Sequence, residues 1–371
     1  RLSLKCWPRQ ERVIIVDRLC GEAVLRGSDI FVRGIMVADS GVVAGEIVSV
    51  YADIGEGKLI SRGIPPEKFT GDCVFLGKGK ACCKRAEMFN KSTGIGVDMS
   101  IGLRVGPHLP PLPKSVLGDL MMLQNLPSLL VGRALDPQPG DVVLDMCCAP
   151  GGKTCHVAAL MKNDGLIVAC DRSRKKMLAA KEFYLGMKAT CIIPIALNST
   201  NCVRLKEKQM KSVKEIILSA KPSSEDELLD IKSFYPESFD RILLDPPCSA
   251  LGLRPKLKVN SEVKQVESHA RYQQKFIAAA TSLLKIGGTL TYSTCTINAS
   301  ENEKMVRFIL DTYSFMSLVP IPFVGLGLPG QPGVGLNDCE RHMVRRFDPT
   351  DLVNDTMGFF VAKFVKIGNG D

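Results

Sequence analysis

Asp145-Met146-Cys147-Cys148-Ala149-Pro150-Gly151-Gly152-Lys153-Thr154 closes a short apolar run at 142–146 and leads into a helical pattern over 153–161. A buried strand, a Gly-rich turn and a helix, in that order, form the opening unit of a doubly wound α/β sheet. Two glycines let the backbone approach a ligand closely, and the N–H groups of the helix's first turn face it. The turn is not a phosphate-binding P-loop, which would need glycine where Cys147 stands. It also lacks the Gly-x-Gly-x-x-Gly spacing suited to a dinucleotide pyrophosphate. The bland alternative is a plain tight β–α turn.

Working outward, the alternation continues. Strands are expected at 166–170, 190–197, 241–244, 289–293 and 359–364, and helices at 175–185, 272–284 and 301–313. The charge-rich stretch 206–233 reads as a surface insertion with one helix, and 325–335 as a Gly/Pro-rich loop. The implied architecture is a doubly wound, mostly parallel sheet, in which ligands bind outside the carboxyl ends of the strands. Strand-end residues therefore carry the chemistry. Asp171 ends the second strand; it can accept both hydroxyls of a ribose, or cap the next helix together with Ser173. A Gly-rich turn followed by a strand-end acid, without a pyrophosphate loop, suits S-adenosylmethionine.

Asp245-Pro246-Pro247-Cys248-Ser249 ends the fourth strand, and its prolines fix an extended path. Tyr292-Ser293-Thr294-Cys295-Thr296 ends the fifth. Enzymes that methylate exocyclic amines place an aromatic where Cys248 stands. A thiol cannot stack on a base, but it can act as nucleophile or in acid–base work. Two buried thiols, or a disulfide, are the bland readings of this pair. Chemistry alone does not say which cysteine would attack.

With 371 residues the chain is long enough for two domains. Its 45% hydrophobic and 23% charged content excludes a disordered chain. No apolar run approaches the roughly 18 residues of a membrane helix, and no signal peptide is visible. Beginning at Arg1 rather than Met, the sequence is expected to lack an N-terminal piece. A net charge of +9 is a mild excess compatible with a polyanionic partner. The 14 cysteines include no Cys-x-x-Cys and only 4 histidines accompany them, so no metal is expected. Reduced thiols imply a cytoplasmic protein, with the nucleus as the alternative, and a monomer is expected.

Residues 9–96 read as a small β-rich domain, with short apolar stretches at 22–25, 30–32, 46–52 and 73–76 and no long helical period. Residues 97–140 read as a connector plus a small helical element over 117–135 that Pro127 breaks. Residues 141–371 form the catalytic domain.

The quoted strand-end motifs, with Gln124-Asn125-Leu126-Pro127-Ser128 and Glu301-Asn302-Glu303, resemble the Sun (Fmu, NSUN) family of RNA cytosine-5 methyltransferases over about 97–364. The segments Ala23-Val24-Leu25-Arg26-Gly27-Ser28-Asp29-Ile30-Phe31, Gly45-Glu46-Ile47-Val48-Ser49-Val50 and Gly77-Lys78-Gly79 resemble a PUA domain, an RNA-binding β-barrel. Together they resemble the PUA-containing, tRNA-acting branch. The resemblance implies an α/β fold: a doubly wound S-adenosylmethionine-dependent methyltransferase sheet preceded by a PUA-like barrel. It implies S-adenosylmethionine as cofactor and tRNA, methylated near the acceptor end, as partner. It makes Cys295 the nucleophile on cytosine C6 and Cys248 the residue that assists proton removal and release, with Asp245 and Lys153 in support. Cofactor contacts would come from Cys148, Ala149, Pro150, Gly151, Gly152, Lys153, Asp171, Arg172, Asn198 and Asp245. The family commonly has alanine at Cys148 and aspartate at Asn198; the Asn198 amide oxygen is still an acceptor for an adenine amino group. Arg26, Arg33, Lys58, Arg62, Lys78 and Lys84 are the basic candidates for RNA contact, each singly a solvated charge on the bland reading.

Alternatives are rRNA or mRNA as substrate, a DNA cytosine methyltransferase attacking through Cys248, an amino-group RNA methyltransferase without an adduct, or an RNA-binding protein with a non-catalytic fold. Missing glycine spacing excludes a nicotinamide dehydrogenase.

Overall fold

A computed structural model describes residues 11–55, 61–100, 121–204, 210–222, 228–259, 262–323, 325–351 and 353–368. It divides into two compact units, Arg1–Leu112 with Pro255–Asn260, and Pro113–Arg254 with Ser261–Asp371.

The first unit contains β1 (Arg12–Val16), α1 (Arg18–Leu25), β2 (Ile30–Phe31), β3 (Ile35–Ala38), β4 (Ile47–Asp53), β5 (Cys73–Ala81), α2 (Arg85–Asn90) and β6 (Ile95–Asp98). Its sheet has the order β2-β6-β5-β4-β1-β3. Only β1–β4 is parallel; the other pairs are antiparallel. Alternation in β4 sends Val48, Val50 and Ala52 into a core shared with Ile14, Ile35, Leu76 and Val97. The stretch 22–25, read as strand-like from its apolar residues, is the end of helix α1. Asp17 caps that helix by accepting the Cys20 N–H, and Val24 packs on the sheet. A four-residue apolar run cannot separate the two periods, and the cap lies outside it. Segment 255–260 belongs here because the Leu257 N–H donates to Glu22 and Lys258 Nζ to the Gly55 carbonyl.

The second unit begins with α3 (Leu126–Leu135). Asn125 caps α3 by accepting the Ser128 N–H, and Pro127 lies in its first turn. Pro127 thus starts a helix rather than breaking one, because the first-turn N–H needs no partner. Residues 117–120 of the expected element lie outside the described residues. There follow β7 (Val142–Asp145), α4 (Gly152–Leu160), β8 (Leu166–Asp171), α5 (Arg174–Gly186), β9 (Ile192–Ala196), α6 (Val213–Ser219), β10 (Phe239–Leu244), α7 (Val263–Leu283), β11 (Leu284–Thr294), α8 (Glu303–Thr312), β12 (Met316–Val319), α9 (Asp338–Met343), β13 (Arg345–Phe347) and β14 (Phe359–Lys366).

The sheet order is β12-β14-β11-β10-β7-β8-β9, with β13 also on β14. Strands β9 to β11 run parallel, and β12, β13 and β14 pair antiparallel. The short apolar runs of β7, β8 and β10 are buried on both faces, as parallel strands between helices must be. Strand order reverses between β7 and β10, so a crevice opens beyond their carboxyl ends. Asp145, Asp171, Asp245 and Cys295 all lie at or just after strand ends there.

Candidate active site

The turn after β7 is shaped by its glycines. Gly151 has φ +115° and caps α4. A Cβ there would meet the Tyr184 ring at 2.5 Å, in a backbone conformation that side chains rarely adopt. Thr154, in the first turn of α4, donates to Asp145 Oδ2 at 2.8 Å, and the Cys147 N–H donates to Oδ1 at 3.3 Å. Full burial pushes the Asp145 carboxyl up to about 7 despite these donors.

A cavity of about 560 Å³ lies against Ala149, Pro150 and Gly152 on the side of Met122 and Phe183, and two further cavities that share Cys147 lie at the strand ends. One, of about 320 Å³, is lined by Met146, Cys147, Asp171, Arg172, Leu197, Asn198, Pro247, Tyr272 and Phe276. The other, of about 220 Å³, reaches Cys148, Ala149, Pro150, Gly152, Lys153, Asp145 and Asp245. Their donor set fits S-adenosylmethionine. Asp171 offers acceptors for a diol, with one oxygen taking the Ser173 N–H at 2.8 Å. Met146, Leu197 and Phe276 give a purine an apolar slot. Gly152 opens the turn to close approach. Asn198 lines this slot, but its amide oxygen already accepts from the Thr200 N–H and hydroxyl. Cys148 is buried, with its sulfur 3.5 Å from that of Met177.

Beside the second cavity, Lys153 Nζ lies 2.6 Å from Asp245 Oδ2, while Ser293 donates to Oδ1 at 3.1 Å. Burial works to lower the Lys153 ammonium, but the Asp245 charge and hydrogen bond outweigh it and hold the pKa above its ordinary value. The sulfurs of Cys248 and Cys295 are 3.3 Å apart. In this pair Cys295 is held below an ordinary thiol, first by the hydrogen bond from Cys248 and then by Lys153, against burial and Asp245. Cys248 is pushed far above, because ionisation would sacrifice that hydrogen bond and because it is buried. Gly252 ties the two loops together: its N–H donates to the Cys295 carbonyl at 3.0 Å, and it accepts from the Gly358 N–H at 2.8 Å. A Cβ on Gly252 would collide with the Gly358 backbone.

Residues 132–365 match the sequence model described as 16S rRNA methyltransferase RsmB/F. The chain belongs to the RsmB/F methyltransferase family. It is 37% identical over 383 residues to the mouse tRNA (cytosine(72)-C(5))-methyltransferase NSUN6, covering 96% of this chain and 75% of that one. It is 34% identical over 439 residues to the Arabidopsis thaliana rRNA (cytosine-C(5))-methyltransferase NOP2C, covering 95% and 72%. The crystal structure of NSun6 from Pyrococcus horikoshii with the S-adenosylmethionine analogue SFG is similar with a TM-score of 0.69 at 30% identity, covering 99% of this chain and 79% of that one.

The family resemblance read from the motifs therefore stands, with the α/β methyltransferase fold and S-adenosylmethionine as cofactor. Cys295, Cys248, Asp245 and Lys153 converge at one place, and the candidate cofactor residues line the two cavities or flank the turn. The basic candidates of the first unit do not converge in this way. Arg62 donates to the carbonyls of Val32, Ile35, Met88 and Phe89. Lys78 pairs with Glu11. Arg26, Arg33 and Lys84 are exposed, and Lys58 lies outside the described residues. Sequence reasoning gave no role to Asp145, although it stands at the end of the deciding strand. It also missed Ser293 and Gln273; the one signal for Gln273 is a polar residue on the apolar face of α7.

Proposed function

We propose that the chain methylates C5 of a cytosine near the acceptor end of tRNA through a covalent adduct at Cys295. The reaction class is that of its family, S-adenosylmethionine-dependent cytosine-5 methylation of RNA. The observation that carries the mechanism is the 3.3 Å thiol pair beside the Lys153–Asp245 ion pair.

Cytosine C5 is a poor nucleophile. The Cys295 thiolate adds to C6, forming a C–S bond and pushing electron density onto C5. The Cys248 thiol and Lys153 hold its pKa below that of an ordinary thiol, which favours the thiolate. Asp245, fixed by Lys153 and Ser293, accepts from the amino group of the base and from N3–H of the protonated adduct, which it stabilises. S-adenosylmethionine, when bound, would supply an electrophilic methyl group, its sulfonium sulfur leaving as a thioether. Once C5 is methylated, its proton passes to solvent with Cys248 assisting, the C5–H electron pair re-forms the ring double bond, and the C6–S bond breaks to return the Cys295 thiolate. The target base must leave its stack to reach the pocket, which costs a few kcal/mol and is least costly at a fraying helix end.

The first unit is assigned as a PUA-like barrel that reads the unpaired end of the RNA, with Arg26, Arg33 and Lys84 as its exposed phosphate contacts. The relatives named for cytosine 72 of tRNA support this substrate. Methylation of tRNA transcripts, mapped by bisulfite sequencing, tests it. A protected cytosine near the acceptor end, lost when that cytosine is replaced by uridine, is the expected result. Methylation confined to rRNA fragments would favour the second reading, which the similarity to the Arabidopsis rRNA enzyme supports.

A further inference from the structure

Behind the two cysteine loops lies a fully buried polar cluster that the mechanism does not use. Glu301, Asn302 and Gln273 have no exposed surface. Together they hold the neighbours of both cysteines. The Glu301 carboxylate accepts the Ser249 N–H at 3.0 Å, the Ser249 hydroxyl, and the Gln273 amide at 2.9 Å. The same Gln273 amide nitrogen donates to the Pro247 carbonyl at 3.0 Å. Cys248 is thus held on both sides, through Pro247 and Ser249. Asn302 does the same for Cys295: its amide oxygen accepts from Thr294 at 2.6 Å, and its amide nitrogen donates to the Thr296 carbonyl at 3.0 Å. A hydroxyl contact of 2.8 Å between Ser249 and Thr296 joins the two loops directly.

Burying a carboxylate without a facing cation is costly unless every lone pair is used. A stability role alone would be served as well by an apolar side chain. We infer that Glu301, with Asn302 and Gln273, acts as a positioning clamp that holds the two cysteine loops in the register that keeps their sulfurs within hydrogen-bond distance. The clamp touches neither base nor cofactor. It acts through the Cys248–Cys295 contact, and its bearing on catalysis rests on the covalent reading above.

The test reads the thiols without RNA or cofactor, so it stands apart from the substrate assignment. Alkylation of Cys295 by iodoacetamide is followed against pH by peptide mass spectrometry, with exposed Cys339 as internal reference. In the native chain the Cys295 midpoint is recorded relative to that of Cys339. In Glu301→Gln one of the two acceptor oxygens becomes a donor, so the donors of Ser249, Gln273 and Asn298 can no longer all be met. The loops part, and the Cys295 midpoint rises by about one pH unit or more while Cys339 stays in place. Glu301→Asp keeps the acceptors and restores part of the shift. Should Glu301→Gln not fold, Ser249→Ala and Gln273→Met each remove one arm and give smaller shifts of the same sign. An unmoved Cys295 midpoint in the folded variants, or a movement shared by Cys339, overturns the clamp. Absence of tRNA methylation with the shift intact would overturn the substrate reading instead.

Discussion

The two units treat their charged residues in opposite ways. At the carboxyl end of the second unit's sheet, Lys153, Asp245, Cys248 and Cys295 come from two strand ends and a helix yet meet as two pairs, each within hydrogen-bond distance. In the first unit the basic residues are scattered. Arg62 is occupied by four backbone carbonyls, and Lys78 lies against Glu11. A charge excess in a sequence says little about which charges are available. A short motif at a strand end says much, because the fold brings all such ends to one edge.

The largest expected effect separates the thiols. Cys295→Ala should be inactive and form no conjugate with RNA. Cys248→Ala should attack and then stall as a protein–RNA conjugate that survives denaturing electrophoresis. Conjugate in Cys295→Ala instead would reverse the roles.

Next comes the cation. Lys153 helps lower the Cys295 thiol, so Lys153→Met should raise that pKa and move the acid limb of the pH–rate profile to higher pH. It should also slow turnover by roughly 10²–10³-fold as Asp245 loses its orientation. A profile that stays in place would detach Lys153 from the thiols.

Asp171→Ala should weaken S-adenosylmethionine binding by about 1–3 kcal/mol while leaving the fold intact, as read by calorimetry. Unchanged affinity would sink its ribose role.

The smallest effects bear on the contrast between units. Arg62→Ala should destabilise the protein by about 1–3 kcal/mol in denaturant titration, since it strips a charged donor from carbonyls within the fold. Arg33→Ala should leave stability alone and reduce the salt slope of RNA binding by about one. If Arg33→Ala changed stability and Arg62→Ala only RNA affinity, the contrast would collapse.

Much of the site was legible because its signals are local. Asp245-Pro246-Pro247-Cys248 and Tyr292-Ser293-Thr294-Cys295 each end a short apolar run, and strand ends define the crevice. Helix α1 was not legible, because the apolar residues 22–25 carry too few positions to reveal a period. Pro127 was misread as a breaker because its effect depends on where the helix begins, and Asn125 sets that start. Arg62 looked like any other surface arginine, since its carbonyl partners come from segments about 30 residues away.

By itself, the sequence determined which reactive groups the protein owns and that they sit at strand ends around a Gly-rich turn. Motif spacing and apolar runs encode those facts locally. Only the tertiary structure decided that two thiols 47 residues apart come within 3.3 Å beside the Lys153–Asp245 ion pair, and that Glu301 stands behind both. Acidity and orientation depend on burial, on facing charges and on distances between remote segments, and these quantities exist only once the chain has packed.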